Sequence, residues 1–565
     1  MKYSLENKFF RFKNKLESKN ILVYIFMIAI VIFTVYPFIM LIGNSFGFSV
    51  HGFNFTLDAY KKCFQNKDVL CATKNTIYVA FSITILSGFL GISLAFLVNK
   101  TNIFFKKIIK TLIFITFIIP SYIMSVAWIE ILGHNGYLTK ILLKYFGVTN
   151  SFQIYSLEGV IIVMSLHLYP LVFMTVSNAL KNIDGSFEKS AFLCGAGKKK
   201  VFFTIILPMI MPSILSILLF VFSRAISCFG VAAVLGLPVR KYILTTYIYS
   251  FLSFGDLKFS AALSTMLLIS SGLLFFLSNL YLKRRQYSYK VVSQPNPNTY
   301  SLGRGRIHLS FLVLIFLFIT AVIPIVAIIG AAFLKKWGIE IKLSNLTFNN
   351  FKYILFEEEM SIRAIKNSIL YGFIAATASS ILGMIISYIS MRTRFKFRKL
   401  MEFSSSLTMA SPETIIAIAA IFAWANKPFE LYNTKWIIIV TYIVVCIPFV
   451  IKNINGLMSR IDKSLENASK VSGASFITTF KKVIIPSIAP GIMTGFILSM
   501  IFALREIPVS VLLYSRGCET VGVLLFNLRS DTGGLEVVSA VALVVIILIL
   551  IGQFTIEKFG IAKRS

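Results

Sequence analysis

Acidic side chains are scarce in this chain, which has 23 Asp and Glu residues against 56 Lys and Arg residues in a length of 565. Charged residues of both signs make up only 14% of the sequence, whereas hydrophobic residues make up 57%. Soluble domains carry about a quarter charged residues, so this composition argues against an ordinary soluble protein. The net charge of +33 would suit a nucleic-acid partner, but the charges lie in short segments beside apolar runs, which argues against that class too.

Metal-binding and nucleotide-binding patterns are also missing. The four histidines are isolated, and neither HExxH nor CxxC spacing occurs, so we predict no metal site. The stretch 195–200 resembles a phosphate-binding loop only superficially, because no glycine stands five residues before Gly197 and Lys199 replaces the required Ser or Thr. We therefore expect the chain to have no catalytic residue and to bind no cofactor. If the protein works with ATP and magnesium, a separate subunit must bind them.

Long apolar runs are abundant. Each is about 20 residues long, the length that crosses a bilayer as a helix. The twelve predicted spans are 21–43, 76–98, 111–132, 158–179, 209–235, 259–281, 308–333, 367–391, 401–423, 436–455, 487–512 and 537–556. With the N-terminus inside, the inner segments hold 35 Lys and Arg and the outer segments hold 19, the excess typical of cytoplasmic loops. The sequence thus predicts an all-α polytopic membrane protein with both termini in the cytoplasm.

One loop pattern occurs twice, 278 positions apart. The matched pairs are Asp184 with Asp462, Glu188 with Glu466, Gly195 with Gly473, and Pro208 with Pro486. Each half has six spans, an even number, so the halves share one orientation and form a parallel repeat. The predicted domains are a first half over 1–281 with its loop at 181–208, a flexible cytoplasmic linker over 282–306, and a second half over 307–565 with its loop at 459–486.

The repeated loops are suited to docking. Each can form a short helix whose early glutamate favours the helix dipole, then a tight glycine turn, then a span that begins with a proline. A basic loop that only anchors to lipid headgroups would explain the lysines but not the matched Asp, Glu, Gly and Pro positions. We therefore predict two equivalent docking points for a cytoplasmic partner.

Both loops resemble the EAA motif of ABC-importer permeases. In that motif EAA is followed by three residues, a glycine, about nine residues and Ile-x-Leu-Pro. The matching residues are Glu188, Ala191, Gly195 and Pro208 in the first copy and Glu466, Ala468, Gly473 and Pro486 in the second. The resemblance implies a bacterial inner-membrane permease, two copies of an ABC ATPase docked on 184–200 and 462–478, and an extracytoplasmic binding protein that delivers the substrate.

The fusion of two permease halves in one chain resembles the ferric-iron branch of these importers. Close relatives of that branch handle thiamine, polyamines and 2-aminoethylphosphonate, and these remain alternative cargoes. The iron branch often has an acidic residue before a Phe-Gly pair, and this chain has Cys228 there. Ferric iron is the cargo that the resemblance favours.

Of the charged residues inside predicted spans, we single out Arg224, Glu413, Arg505 and Glu506. Such residues usually face the interior of a helix bundle or a water-filled cavity. We consider them candidates for a gate or weak transient site on the translocation path, and an ion pair between Glu413 and Arg505 is the structural alternative. Glu413 together with Arg505 and Glu506 would form the ion- or proton-coupling site of a secondary transporter, which is the rival function from another class.

Overall fold

The protein is represented by a computed structural model that describes residues 23–49, 52–147, 152–284, 299–340, 342–393, 395–530 and 534–561. The helices of the first half are α1 (Val23–Thr34), α2 (Tyr36–Ser45), α3 (Asp58–Gln65), α4 (Lys67–Lys100), α5 (Lys106–Ile118), α6 (Ser121–Leu132), α7 (Tyr137–Phe146), α8 (Leu157–Lys181), α9 (Gly185–Leu193), α10 (Lys198–Val201), α11 (Leu207–Ile226), α12 (Gly230–Leu235), α13 (Leu244–Ser253) and α14 (Leu257–Arg284).

The helices of the second half are α15 (Gly305–Leu317), α16 (Ile323–Ala332), α17 (Asn349–Lys352), α18 (Glu359–Arg392), α19 (Arg398–Ala410), α20 (Glu413–Trp424), α21 (Lys435–Met458), α22 (Lys463–Val471), α23 (Phe476–Thr479), α24 (Ile485–Arg505), α25 (Pro508–Leu513), α26 (Val521–Ser530) and α27 (Leu535–Ile561). The π-helical turns are Phe202–Ile206, Phe318–Val322, Tyr353–Glu357 and Phe480–Ile484, and the 3₁₀ turns are Leu237–Val239 and Leu343–Asn345. Strands β1 (Phe48–Ser49) and β2 (Gly52–Phe53) form a small antiparallel hairpin.

The helices confirm the predicted class of an all-α polytopic membrane protein. Among the described residues, nine helices are long and apolar enough to cross a membrane, and three bent helix pairs raise the number of spans to as many as twelve. The bent pairs are α1 with α2, α5 with the helical segment that begins with α6, and α19 with α20, with bends of 41°, 102° and 114°. Each of the twelve predicted spans therefore has a counterpart in the structure.

Five of the spans are not the continuous helices that the sequence suggested, and the first of them is the bent pair of α1 and α2. The third span consists of α5 followed by α6, and the ninth consists of α19 followed by α20. Pro120 and Pro412 lie in these breaks, because proline lacks a backbone N–H and disfavours a helical conformation in the residue before it. The fifth and eleventh spans also break, so that the short helices α12 and α25 follow α11 and α24.

Packing divides the chain into two compact units that do not follow chain order. The first-loop unit consists of Leu57–Ile365 and Glu519–Leu550. The second-loop unit consists of the described parts of Met1–Thr56, Lys366–Cys518 and Ile551–Ser565. The opening span of each half thus packs in the unit that holds the loop of the other half. The predicted division at 281 and 307 follows the sequence repeat, and as a division of that repeat it stays a prediction.

The core of the second-loop unit illustrates this arrangement. Ile30 of α1 is buried in an apolar cluster with residues of α18, α19 and α21, namely Ile386, Ile389, Met401, Ile447 and Ile451. Phe33 of the same helix packs its ring 5.6 Å from that of Trp424 in α20. Burial of Ile30, together with the ring contact of Phe33, fixes α1 against the second-half helices.

Matched glycines bring two spans close together in each unit. A Cβ on Gly91 of α4 would lie 2.5 Å from the Cβ of Val172 in α8. A Cβ on Gly383 of α18 would lie 2.7 Å from Cγ1 of Val450 in α21. Only a residue without a side chain permits such close helix crossings. As a result, the ends of α4 and α18 lie beside the loops that follow α8 and α21.

Candidate functional site in the two repeated loops

Each repeated loop begins with a nine-residue helix capped by an aspartate. Asp184 accepts a hydrogen bond from the backbone N–H of Ser186 at 3.0 Å, and Asp462 accepts one from Ser464 at 2.8 Å. These bonds lower the pKa of both carboxyls below the ordinary value, so both caps stay ionised near neutral pH. A negative charge at this end also favours the helix dipole.

Glycine ends both helices in the left-handed conformation. Gly195 has φ of 81° and Gly473 has φ of 79°, and no atom lies within 4 Å of where a Cβ would stand. The need for glycine is therefore conformational and not one of space. Of the two motif alanines, Ala191 is half-buried and Ala468 is exposed.

The chain then enters the next span through a π-helical turn. Pro208 and Pro486 stand in the first turn of α11 and α24, directly after the π-helical turns. In the first copy, α10, the π-helical turn and α11 follow one another without a break. In the second copy, α23, the π-helical turn and α24 do the same. The loop is thus joined mechanically to a membrane helix, as a lever would require.

The glutamate of the first loop is buried inside the protein. Glu188 is fully buried and forms an ion pair with Lys100, the last residue of α4. Its Oε2 atom also accepts a hydrogen bond of 2.6 Å from the hydroxyl of Tyr300. Because a buried carboxylate is costly unless it is paired and hydrogen-bonded, these two partners hold Glu188 in place.

The glutamate of the second loop has equivalent partners. Glu466 is buried, and its Oε1 lies 3.2 Å from Nε of Arg392, the last residue of α18. The hydroxyl of Tyr388 lies 3.4 Å from Oε2. A terminal nitrogen of Arg392 also donates to the backbone carbonyls of Met458 at 3.0 Å and Ile461 at 2.7 Å. Arg392 therefore fixes both the glutamate and the chain that leads into α22.

The sequence pattern did not single out the basic partners of the two glutamates. Lys100 and Arg392 are matched 292 positions apart, the same spacing as Pro120 and Pro412. They did not stand out in the sequence, because Lys and Arg are common at the cytoplasmic ends of membrane spans in any case. We refer to each glutamate with its basic residue and its tyrosine as a coupling anchor.

The helices α9 and α22 expose apolar side chains at matched positions. Leu193 and Val471 are each 89% exposed, and Phe187 and Leu465 are 47% and 50% exposed. Within each helix the two side chains are six residues apart, and each pair is matched 278 positions apart. Apolar side chains exposed on a polar loop are typical of a protein–protein contact.

Part of the predicted linker is docked in the first-loop unit. Tyr300 forms backbone hydrogen bonds in both directions, donating to the carbonyl of Lys100 at 2.7 Å and accepting from Asn102 at 3.2 Å. The guanidinium of Arg306 lies 3.5 Å from the centre of the Phe104 ring. Residues 299–306 thus form backbone pairing and side-chain contacts, and the flexibility of the linker stays a prediction. Residues 285–298 lie outside the described part of the chain.

Glu506 and Cys228 occupy matched positions in front of the short helices. Glu506 is buried and accepts hydrogen bonds from the backbone N–H groups of Val509 at 2.6 Å and Ser510 at 3.0 Å at the start of α25. Cys228 is buried at the corresponding position in front of α12. The cysteine that departs from the iron-branch pattern thus stands where the second half has Glu506.

The remaining path candidates are less enclosed. Glu413 is half-buried at the start of α20, close enough to Glu506 for the two carboxylates to repel each other. Arg505 is half-buried at the end of α24, and Arg224 is exposed on α11. Their roles in a gate stay predictions. Among the described residues, no group of three or more His, Cys, Asp and Glu side chains is placed to hold a metal.

The two cysteines between the first and second predicted spans both have free thiols in the structure. Cys63 is buried and Cys71 is exposed. Burial, together with the charge of Asp256, raises the pKa of the Cys63 thiol to about 12. A thiol held in its protonated form at neutral pH is a poor nucleophile for disulfide exchange.

Comparison with known proteins identifies the repeat. The family model described as "Binding-protein-dependent transport system inner membrane component" matches residues 87–287 and again 379–559. Each match contains one of the repeated loops.

Two curated relatives match most of the chain. One is the ferric transport system permease protein FbpB of Actinobacillus pleuropneumoniae, 27% identical over 79% of this chain and 66% of its own length. Another is the putative ferric transport system permease protein FbpB 1 of Haemophilus influenzae, 27% identical over 79% of this chain and 70% of its own. This chain therefore spans about two thirds of the length of these relatives. A solved bacterial ABC transporter involved in alginate import has 18% identity and a TM-score of 0.42, covering 49% of this chain and 99% of that one.

Proposed function

Because the chain belongs to the family of binding-protein-dependent transport system inner membrane components, we propose that it is the permease subunit of an ATP-driven importer. ATP and magnesium would be used by a separate ATPase, and the chain itself would bind no cofactor. Two ATPase copies would dock on the two repeated loops from the cytoplasm, where both chain termini would also lie. An extracytoplasmic binding protein would deliver the substrate. The family assignment does not favour the ion-coupled secondary transporter.

The observation that carries this proposal is the set of exposed apolar side chains at matched positions of α9 and α22. Leu193 and Val471 are exposed on short helices. Each helix is attached to the protein by the ion pair of its buried glutamate. An exposed leucine or valine gains free energy only when a partner covers it, by about 25 cal/mol per Å² of buried apolar surface. Two such sets, one in each half, fit a partner present in two copies.

The attachment of each helix suggests how force would be transmitted. α9 is fixed to the end of α4 through Glu188 and continues through α10 and a π-helical turn into α11. A push on α9 would therefore act on two membrane helices together. The second loop has the same two attachments, to α18 through Glu466 and to α24 along the chain. Closure of an ATPase pair would then move both sets of helices and switch the access of the path.

Ferric iron is the proposed cargo. Both curated relatives that match 79% of this chain are named for ferric transport. Thiamine, polyamines and 2-aminoethylphosphonate remain competitors to be tested and are not favoured by these relatives. Glu506, Glu413, Arg505 and Arg224 remain candidates for the path.

Docking can be tested by replacing Leu193 and Val471 with aspartate in one chain. Both residues are exposed, so the double variant should insert and fold normally but should lose the ATPase on gentle purification from native membranes. The matched control is Leu343→Asp, since Leu343 is 90% exposed in the predicted outer loop between the seventh and eighth spans. Recovery of a stoichiometric ATPase with the double variant would refute docking at these loops.

Cargo can be tested in proteoliposomes that contain the chain, its co-purifying ATPase and the binding protein. We expect ATP-dependent uptake of radioactive ferric iron that is not competed by thiamine, spermidine or 2-aminoethylphosphonate. Competition by one of these compounds, or uptake of it in place of iron, would overturn the iron assignment. Uptake that follows an ion gradient without ATP would overturn the importer.

A further inference from the structure

The two coupling anchors obtain their tyrosine hydroxyl from different places. In the second-loop unit, Tyr388 lies within α18 and its hydroxyl approaches Glu466 at 3.4 Å. The residue of α4 matched to Tyr388, 292 positions earlier, is Phe96, which has no hydroxyl. A helix residue therefore cannot complete the first coupling anchor in the way that it completes the second.

The aromatic rings at these matched positions nevertheless occupy equivalent places. The Phe96 ring packs edge-on against Phe202 with their centres 4.9 Å apart. The Tyr388 ring packs edge-on against Phe480 with their centres 5.2 Å apart, and Phe480 is the residue matched to Phe202. The packing of this aromatic pair is thus the same in both halves. The pair in the first half lacks only the hydroxyl oxygen that Tyr388 has in the second.

The linker supplies that oxygen. Tyr300 donates its hydroxyl hydrogen bond to Glu188 at 2.6 Å, on the carboxylate oxygen that Lys100 does not contact. Its backbone pairs with the chain at Lys100 and Asn102. Its ring packs edge-on against Phe192 of α9, with the centres 6.4 Å apart. Tyr300 therefore bridges the linker, the end of α4 and the loop helix.

We propose that Tyr300 is a positioning residue that makes the linker between the halves a working part of the first coupling anchor, replacing the hydroxyl absent at Phe96. The first loop helix is then held by the covalent fusion of the two halves, whereas the second is held by its own half alone. This inference rests on the proposed function for its consequence in transport, but not for its structural content.

The chemistry of Tyr300 suits a permanent donor. Burial raises the pKa of Tyr300 above its ordinary value, and the hydrogen bond to Glu188 raises it further. The hydroxyl consequently keeps its proton over the physiological range and donates to the carboxylate throughout it. A hydrogen bond to a charged group is about twice as strong as one between neutral groups, so its removal should be measurable.

The test measures hydrogen exchange of the full chain in lipid nanodiscs for two peptides, 185–193 and 463–471. Tyr300→Phe removes one oxygen and keeps the ring, so we expect backbone exchange in 185–193 to accelerate about tenfold while 463–471 is unchanged. Tyr388→Phe should produce the opposite pattern, with a smaller effect because its hydrogen bond is longer. If peptide 185–193 exchanges at the same rate in Tyr300→Phe as in the wild type, the proposal is overturned.

A rescue variant separates this role from a general structural one. In the double variant Phe96→Tyr with Tyr300→Phe, the hydroxyl returns from α4, as in the second-loop unit, and exchange in 185–193 should fall back toward the wild-type rate. Failure of Phe96→Tyr to restore protection would overturn the equivalence of the two hydroxyls. Because no partner is needed in this experiment, its outcome is independent of whether an ATPase docks.

Transport provides the second readout. In proteoliposomes with the ATPase and the binding protein, Tyr300→Phe should lower the amount of substrate imported per ATP hydrolysed about two- to fivefold, and the rescue variant should restore it. An unchanged ratio despite faster exchange would show that Tyr300 positions the helix without affecting coupling, and would overturn the transport part of the inference. Loss of ATPase binding by the wild-type chain itself would count against the proposed function instead.

Discussion

The two coupling anchors hold matched glutamates with different residues. The first uses Lys100 and a tyrosine from the linker, and the second uses Arg392 and a tyrosine from the same helix as the arginine. Arginine has a planar fork of donors, and Arg392 uses it to reach two backbone carbonyls as well as the carboxylate. Lysine is a compact charge, and at Lys100 the backbone of the linker adds a contact instead. Burial and fixation of the glutamate are thus retained in both halves, whereas the residues that fix it differ.

The largest difference should come from removal of the basic partner in the first coupling anchor. Lys100→Met leaves the carboxylate of Glu188 buried without a counter-charge, which costs about 3–5 kcal/mol. We expect a lower thermal unfolding temperature in detergent and loss of ATP-driven uptake.

The matched control for Lys100→Met is the double variant Lys100→Met with Glu188→Met, in which no buried charge remains. It should recover most of the stability but not the uptake, because the loop helix loses its fixed position. If the single variant is as stable as the wild type, the ion pair contributes little and the first coupling anchor is not what holds α9.

A smaller effect is expected from Arg392→Lys in the second coupling anchor. The charge remains, but the bonds to the carbonyls of Met458 and Ile461 are lost, at a cost of about 2 kcal/mol. Hydrogen exchange should accelerate at the entry to α22, between Ser459 and Asp462. The reverse change in the first coupling anchor, Lys100→Arg, is the comparison, and a similar loss in both would argue against a special role of the arginine fork.

The glycine turns should be equally sensitive in the two loops. Gly195→Ala and Gly473→Ala each place a Cβ in the left-handed conformation, which costs about 1 kcal/mol although the surrounding space is open. Exchange in the adjoining loop helix should rise by a similar factor in both variants. Substitution by asparagine, which tolerates this conformation better, should have the milder effect. Unequal alanine effects would show that the turns are held differently.

The smallest effect should be that of acid on the aspartate caps. The pKa of Asp184 and of Asp462 is lowered in the folded protein, so each carboxylate stabilises its helix above the unfolded pKa, and this contribution is lost as the pH falls through the lowered pKa. Exchange of α9 and α22, corrected for the intrinsic pH dependence, should therefore rise below about pH 4. Asp184→Ala and Asp462→Ala should remove this acid dependence in their own helices only, and persistence of it would assign the effect to other groups.

Much of the fold could be predicted from the sequence because its signals are local. Apolar length predicted the spans, and the repeated Asp, Glu, Gly and Pro positions predicted loops with a capped helix, a glycine turn and a proline-started span. The breaks at Pro120 and Pro412 were visible as prolines, but hydropathy averages over a break and suggested continuous helices. The coupling anchors were not predictable, since the partners of Glu188 are distant in sequence and Tyr300 lies in a segment whose composition is typical of a flexible linker.

The π-helical turns at Phe202–Ile206 and Phe480–Ile484 affect the direction in which each loop helix points around the axis of its membrane helix. A π-helical turn contains one residue more than the α-helical turn it replaces, and one residue corresponds to about 100° of rotation about a helix axis. The extra residue therefore sets the azimuth at which the loop helix leaves the membrane helix. Deletion of a single residue there would rotate the loop helix about the axis of the membrane helix, so that its exposed apolar side chains point in another direction. The distance between the loop helix and the membrane helix would hardly change.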